Sequence, residues 1–441
     1  MTRRAFLSML TGLVLCPAAF ALAEGSGVSG AELSAGDPGA NSPSASGGSD
    51  GSASSAASPL EVIVATDLHY IARELTDNGA FFTKMTENGD GKVMLYSEEL
   101  VNAFIDHVID RRPHALILSG DLSFNGERVS HERLAQKLAR VTEAGVSVYV
   151  IPGNHDLNMR AAARFEGDGY TIIPSVNAQE FRAIYGAFGF DGALSVDAQS
   201  LSYAARLAPG LRLLMVDVNG VPTKNTVPAG TLEWVRDQMD DALRCGDRVI
   251  SVSHQNLRRQ NTLIYQGFVI DNADALLLLL ADSALHLSGH IHMQHIARGE
   301  YGPADIATSS LAVSPNQFGV LSVSGERLEY STQPLDVSAW AEREGLTDPN
   351  LLDFSAYSAR FFRRLALRQS QGSAGEDDDA RQLAEFMADV NAAYFAGRMD
   401  TVDLRGELTE RWNTKNTFFA RYLASLLDEG QCDMTRLHVD L

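Results

Sequence analysis

Short apolar runs, each ending in a polar and often glycine-containing turn, recur through the middle of the chain. They lie at residues 61–65, 115–118, 146–151, 211–216, 248–253 and 285–287. Such runs predict short, buried strands. Stretches with the apolar period of helices lie between several of them, at residues 97–110, 130–142, 231–244 and 271–281. Strands that alternate with helices predict an α/β layered fold, in which ligands collect at the carboxyl ends of the strands.

The pattern changes toward the end of the chain. Residues 319–323 and 327–330 alternate like a hairpin joined through Gly325. Beyond Pro334 the sequence is rich in Ala, Leu, Arg and Glu, with helical periods at 356–367, 379–394 and 417–427. The acidic segment 369–378 is predicted to separate two helices. We therefore expect an α/β domain over residues 59–333 and a helical C-terminal region over 334–441 that packs on it and stabilises it.

The first residues have the character of an export signal. Arg3 and Arg4 precede an apolar run over residues 5–23, and small residues surround a possible cleavage site after Ala23. The opening resembles a twin-arginine signal, so we expect an exported protein (cell surface, periplasmic or secreted). An ordinary secretory leader is the alternative, and a lipid anchor at Cys16 is disfavoured by Leu15. Residues 24–58, mostly Gly, Ser, Ala and Pro, predict a flexible linker.

Composition excludes some partners. The 441 residues carry a formal net charge of −20, and neutralising the backbone of a long nucleic acid takes clustered Lys and Arg. The apolar run at residues 5–23 is too short for a confident membrane span, so no transmembrane helix is expected in the mature chain. Cys245 and Cys432 are far apart in sequence, which leaves their pairing open, and the oligomeric state is equally open.

Five polar clusters stand at the ends of the predicted strands, and together they suit a metal centre. For any one cluster a turn cap is the simpler interpretation, but five in order favour a shared site. Imidazole, carboxylate and amide oxygen together suit divalent Mn, Fe, Zn or Ni. Alternation such as Asp-x-His places two side chains on one side of an extended backbone. The clusters are Asp67-Leu68-His69, Gly120-Asp121, Gly153-Asn154-His155-Asp156, His254 and Gly289-His290-Ile291-His292.

In this order the clusters resemble the calcineurin-like metallophosphoesterase superfamily, over residues from about 62 to 330. The resemblance implies a layered β-sandwich flanked by helices and two divalent transition-metal ions. It assigns Asp67, His69 and His292 to one ion. The other ion would be held by Asn154, His254 and His290, and both ions would share Asp121.

The same resemblance implies the chemistry. Two ions about 3.5–4 Å apart activate a bridging hydroxide, which attacks a phosphoester in line. His155 would face the phosphoryl group and Asp156 would orient its imidazole, although Asp156 is as readily a cap on the turn. The loop Asn125-Gly126-Glu127 is similar to that of bacterial cyclic-nucleotide phosphodiesterases, so a small phosphodiester is the expected substrate. A phosphomonoesterase and a non-catalytic metal-binding protein are the alternatives.

Other polar residues receive a plainer interpretation. Five histidines away from the motif ends are expected to be structural or solvent-facing, and the segment 71–96 is expected to be a loop at the rim of the site. Gln294 and His295 are expected either on a loop surface or in the cleft that binds the substrate. Turn roles compete with substrate contacts for Asn125, Asn158 and Arg160. The five histidines are His107, His114, His131, His286 and His438.

Overall fold

A computed structural model of the chain describes residues 59–375, 378–415 and 417–441. Its regular elements follow the predicted alternation of strands and helices. In chain order the strands are β1 (Leu60–Ala65), β2 (Ala115–Leu118), β3 (Ser147–Val150), β4 (Ala163–Glu166), β5 (Gly169–Ile172), β6 (Ser195–Val196), β7 (Tyr203–Ala208), β8 (Leu211–Met215), β9 (Arg248–Val252), β10 (Leu285–Ser288), β11 (His295–Ala297), β12 (Asp305–Ala307), β13 (Gln317–Ser324), β14 (Arg327–Pro334) and β15 (Arg436–Asp440).

The α-helices fall into two groups along the chain. In the described part of the chain, six lie among the strands: α1 (Ala80–Glu87), α2 (Ser97–Arg111), α3 (Arg128–Glu143), α4 (Ala178–Tyr185), α5 (Ala229–Cys245) and α6 (Ala273–Leu279). Another six of the described helices follow β14: α7 (Val337–Arg343), α8 (Pro349–Leu352), α9 (Phe354–Ala374), α10 (Asp378–Phe395), α11 (Glu407–Asn413) and α12 (Phe418–Glu429). None of the helices in the described ranges is long and apolar enough to cross a membrane.

Two sheets build the α/β part. The first has the order β15-β14-β13-β1-β2-β3, and the second has the order β11-β12-β10-β9-β8-β7-β6. The neighbours β1, β2 and β3 are parallel, as are β8, β9, β10 and β12. Residues of both sheets, such as Ile63 and Leu213, belong to one buried cluster. The layered β-sandwich is therefore confirmed.

Helices cover the sheets because successive strand residues point to opposite faces. In β8, Leu213 joins the core between the sheets, whereas the next residue, Leu214, packs in a separate cluster with Val235 of α5 and Leu276 of α6. On the first sheet, Phe104 of α2 lies in the same cluster as β1 and β2. Because helices cover the outer faces of the sheets, a functional site can form at the strand ends and not on the faces.

The helical C-terminal region shares a core with the α/β part. Trp412 and Phe419 cluster with Ile264 and Phe268, which lie between β9 and α6, and with Met293 beyond β10. The chain then returns to the first sheet, where β15 pairs antiparallel with β14. The C-terminal region, which was predicted to be helical, therefore ends in the strand β15. This strand is short, and its burial depends on pairing with β14, which is distant in sequence.

Several other segments differ from the predicted secondary structure. The segment 71–96 is not a plain loop, because it contains α1, whose Phe82 is fully buried. Helix α9 runs to Ala374, so much of the segment predicted to separate two helices is itself helical. The elements β4 to β7 and α4 were not predicted. The hairpin of β13 and β14 is confirmed, and the proposed domain limits stay a prediction.

Candidate metal centre

The predicted ligands lie together at one edge of the sandwich because each follows a parallel strand. Asp67 follows β1, Asp121 follows β2 and Asn154 follows β3. On the second sheet, His254 follows β9, and the pair His290 and His292 follows β10. The carboxyl ends of parallel strands meet at one edge, so five loops bring these side chains, which lie between residues 67 and 292 of the sequence, to one place.

The backbone around the ligands is not extended, contrary to the expectation from alternation. Asp67 and His69 have φ angles of +52° and +44°, and His290 and His292 have φ angles of +68° and +61°. Asp121 has a φ of +48°. Left-handed conformations are uncommon for residues other than glycine and cluster at functional sites. These side chains therefore face one another because the backbone turns sharply at each of them, and not because they alternate along a pleated strand.

The first group of potential ligands contains two imidazoles and two carboxylates, all buried. Nε2 of His69 lies 3.1 Å from Nε2 of His292. Nε2 of His292 lies 3.2 Å from Oδ1 of Asp67. Oδ2 of Asp121 lies 3.6 Å from Nε2 of His69. The ligand atoms of these four residues all lie within 4.8 Å of one another, a spacing that suits a single ion.

The second group shares Asp121 with the first. Nε2 of His254 lies 3.3 Å from Oδ2 of Asp121 and 3.0 Å from Oδ1 of Asn154. Asp121, His254 and His290 again have ligand atoms within 4.8 Å of one another. Because the same oxygen of Asp121 faces His69 and His254, it is placed to bridge two adjacent ions.

The polar atoms at the centre of the cluster fit a cation. Oδ1 of Asp67 is buried and has no hydrogen-bond partner among the described residues, and such a group is costly in a protein interior. Two imidazole nitrogens facing each other at 3.1 Å share at most one proton between them. A divalent ion would satisfy these lone pairs together, and the donor set is that of a first-row transition metal.

Electrostatics agree with that fit. Burial favours the neutral form of both aspartates, yet the neighbouring histidines hold the pKa of Asp67 and of Asp121 below the ordinary value. Burial would also lower the pKa of His254, but the charge of Asp121 outweighs it and raises that pKa to about 9. The carboxylates are therefore anionic, and they attract positive charge to the centre of the site.

Backbone carbonyls select which imidazole nitrogen faces the centre. Nδ1 of His254 donates to the carbonyl of Ser119 over 2.9 Å. Nε2 of His290 donates to the carbonyl of Gly267 over 2.9 Å. A carbonyl can only accept, so the lone pair of each neutral ring sits on the other nitrogen. Nε2 of His254 and Nδ1 of His290 would thus be the atoms that bind a metal ion.

Two glycines let the loops approach one another. A Cβ on Gly153 would lie 2.2 Å from Oδ1 of Asp121, and a Cβ on Gly289 would lie 2.0 Å from Oγ1 of Thr66. Neither space admits a side chain. Glycine is therefore required at both positions for a steric reason.

His155 is half-buried beside the first group, with its ring centroid 5.0 Å from that of His69. Its Nδ1 lies 3.1 Å from Oδ1 of Asn125. The expectation that Asp156 orients this imidazole is wrong. The Asp156 carboxylate instead accepts hydrogen bonds from the backbone N–H groups of Gly153, Leu122 and Ser123, and it caps the turn.

Of the remaining polar residues, some make structural contacts inside the protein and others are exposed. His286 lies between Oγ of Ser251 and Oγ of Ser253 at 2.9 Å each. Of the other histidines expected to be structural or solvent-facing, His107 packs its ring against Phe318, and the remaining three form hydrogen bonds: His114, His131 and His438. Gln294 and His295 are neither at the surface nor bonded to a ligand. Both are buried, and they bond to Met434 and Glu429 of the C-terminal region. Asn158 and Arg160 are exposed.

Comparisons with known proteins accord with this geometry. Residues 60–294, more than half of the chain, match the family described as calcineurin-like phosphoesterase. Residues 336–433 match the family described as the C-terminal domain of cyclic nucleotide phosphodiesterase. A comparison with curated protein sequences gave no match.

Solved structures resemble the chain at low identity. A dimetal phosphatase from Danio rerio is 13% identical over 63% of this chain and 96% of that chain, with a TM-score of 0.45. A purple acid phosphatase from yellow lupin is 13% identical over 63% and 52%, with a TM-score of 0.41. A 5'-nucleotidase from Candida albicans is 11% identical over 70% and 57%, with a TM-score of 0.35. With all three scores below 0.5, the chemistry of the site rests on its geometry and on the family match.

Proposed function

The chain belongs to the calcineurin-like phosphoesterase family, and on that premise we propose that it hydrolyses a small phosphodiester at a pair of divalent transition-metal ions. The observation that carries the proposal is the shared oxygen of Asp121, which lies 3.6 Å from His69 and 3.3 Å from His254. One carboxylate between two sets of nitrogen and oxygen ligands is the arrangement that a dinuclear centre requires.

Each ion has its own ligands besides Asp121. Asp67, His69 and His292 would hold one, and Asn154, His254 and His290 would hold the other. When bound, two such ions supply nucleophile activation and charge neutralisation for in-line displacement at phosphorus. The chain itself orients the imidazoles of His254 and His290 through the carbonyls of Ser119 and Gly267. Five of the seven ligand side chains are buried, and those of Asn154 and His290 are half-buried.

His155 is not needed as a ligand, and its position suits contact with the substrate. With Nδ1–H donating to Oδ1 of Asn125, the other nitrogen, Nε2, would donate to a phosphoryl or leaving-group oxygen when the ring is protonated. The backbone N–H of His155 donates to Oδ1 of Asp121 over 2.7 Å. The imidazole is therefore anchored to the bridging ligand at its backbone and to Asn125 at its ring.

The C-terminal region supports the diester as substrate. Residues 336–433 match the C-terminal domain of cyclic nucleotide phosphodiesterase, and this region packs against the segment that carries Gly267 and Phe268. A phosphomonoester would use the same centre and the same His155, so it is the second candidate.

The test compares bis-p-nitrophenyl phosphate with p-nitrophenyl phosphate. Metal-stripped protein is resupplied with Mn, Fe, Zn or Ni, and Asp121→Asn is measured beside Asp282→Asn, a matched change at an exposed position. We expect metal-dependent turnover that favours the diester, a loss of at least about a hundredfold in Asp121→Asn and no change in Asp282→Asn. Preference for the monoester would make the protein a phosphatase. Stoichiometric metal binding without turnover would make it a non-catalytic metal-binding protein.

A further inference from the structure

A buried ion pair lies in the segment between β1 and α2, outside the predicted motifs. Nζ of Lys92 lies 2.8 Å from Oδ2 of Asp90, and the two side chains are only 3% and 5% exposed. Lysine is almost never fully buried unless it is paired, because removing its charge from water is costly. A buried lysine in a segment with no catalytic motif therefore calls for an explanation.

The backbone places Lys92 next to the metal-binding loops. Lys92 forms a β-bridge with Val313, and the N–H of Val93 donates to the carbonyl of Ala312 over 2.9 Å. The same segment reaches the site on its other side, since Oγ of Ser310 donates to the carbonyl of Asp67 over 2.8 Å. One short segment, residues 310–313, thus separates Lys92 from the first ligand loop.

The segment 310–313 contacts the ligand loops of both sheets. The N–H of Ser310 donates to the carbonyl of His292 over 3.3 Å, and the N–H of Leu311 donates to the carbonyl of Thr66 over 3.1 Å. Lys92 and Asp90 therefore lie beside the loops that carry Asp67 and His292, and charges interact strongly over such short distances in a poorly polarisable interior.

The pair is also incompletely satisfied for a purely structural one. An ammonium group has three N–H donors, and in the described residues Asp90 is the ion-pair partner of Lys92. Well-packed apolar residues usually stabilise an interior as well as a buried ion pair does. An anionic ligand at the metal centre would use the remaining donors.

We propose that Lys92 binds a non-bridging phosphoryl oxygen of the substrate at the metal centre and that Asp90 positions the ammonium group. The inference rests on the proposed function and adds a substrate-binding residue from the segment between β1 and α2. Phosphoryl oxygens are the chemistry it would recognise, because a compact ammonium binds phosphate as a point charge.

The first test is calorimetric binding of inorganic phosphate to the Mn-loaded full chain. We expect Lys92→Met to weaken phosphate binding by about tenfold to a hundredfold, the range for a lost charge-assisted hydrogen bond. Lys92→Arg should retain part of the affinity, and Lys84→Met, a matched change at an exposed position in α1, should retain all of it. Wild-type affinity in Lys92→Met would overturn the inference.

The second test separates binding from folding. Lys92→Met alone leaves the Asp90 carboxylate buried without its partner, which destabilises the fold. The double variant Asp90→Asn/Lys92→Met removes both charges, so it should recover the melting temperature but keep the weak phosphate binding and a raised KM. Recovery of both the melting temperature and the phosphate affinity would show that the pair Lys92 and Asp90 is only structural. If the wild type binds metal and phosphate but turns over no phosphoester, the proposed function fails, and loss of phosphate affinity in Lys92→Met would still show that Lys92 binds phosphate.

Discussion

At the scale of single residues, the orientation of the His155 ring depends on the side-chain amide of Asn125 and not on the neighbouring carboxylate of Asp156. Asn125 is buried, accepts from the ring of His155 and is itself held by Glu127, whose Oε2 accepts from the Asn125 backbone N–H over 2.9 Å. Burial raises the pKa of Glu127 to about 8. Asp156 meanwhile caps the turn. Of the two residues after Asn154, His155 is therefore the one that we propose contacts the substrate, and Asp156 has a structural role.

Asn125 is therefore expected to be a positioning residue. Asn125→Ala should lower kcat for the diester by about tenfold to a hundredfold, the usual effect of removing an orienting partner, with KM little changed. Asn125→Asp keeps an acceptor oxygen and should recover part of the rate. Elemental analysis should still find two metal ions per chain in both variants. Equal kcat in all three proteins would exclude the orienting role.

At the scale of elements, the C-terminal helices hold one ligand in place through a loop. Phe268 lies in the cluster with Trp412 and Phe419, and its ring centroid is 5.2 Å from that of His290. The preceding residue, Gly267, accepts the hydrogen bond from His290. The helices α11 and α12 thus support the second metal-binding group without supplying a ligand to it.

The support can be tested by truncating one aromatic ring. Phe268→Ala should destabilise the protein by about 3–5 kcal/mol, as for other buried aromatic residues, and weaken the binding of the second metal ion. Phe181→Ala is the matched control, because Phe181 is buried against His131 and Tyr185, away from the ligands. Denaturant unfolding and metal titration followed by calorimetry measure the two effects. Equal metal affinity in both variants would leave Phe268 a simple core residue.

At the scale of the whole molecule, the site exists only after the chain has folded. Its ligands come from both sheets, and the C-terminal region shares a core with the segments before α6 and after β10. A metal centre assembled in this way is loaded most easily in a folded protein. The twin-arginine route, which carries folded proteins, fits this requirement, and we propose it for this chain on the strength of Arg3 and Arg4 alone, since residues 1–58 lie outside the described ranges.

Replacing both arginines tests the route. Arg3→Lys/Arg4→Lys keeps the positive charge but removes the paired arginines that such a signal requires. We expect the variant to stay in the cytoplasm, whereas the unchanged chain is exported with its metals bound. Immunoblots of cell fractions measure the outcome. Export of the lysine variant at the same level would indicate an ordinary secretory leader, for which positive charge is enough.

The sequence by itself determined the strands that carry the site and the identity of the clustered residues. Both are local properties: a short apolar run predicts a buried strand, and the polar residues after it are adjacent in the chain. The predicted β2 agrees with the structure residue for residue. The calcineurin-like family and the layered α/β fold are confirmed for the same reason, since five local motifs in a fixed order carry both.

Only the tertiary structure decided which residues meet. His69 and His292 are 223 residues apart in sequence yet 3.1 Å apart in space. No local pattern indicates that Asn125 holds His155, that β15 completes the first sheet, or that Lys92 lies beside the ligand loops. Each of these depends on burial against distant segments, and the free energy of such contacts belongs to the assembled core rather than to any stretch of the chain.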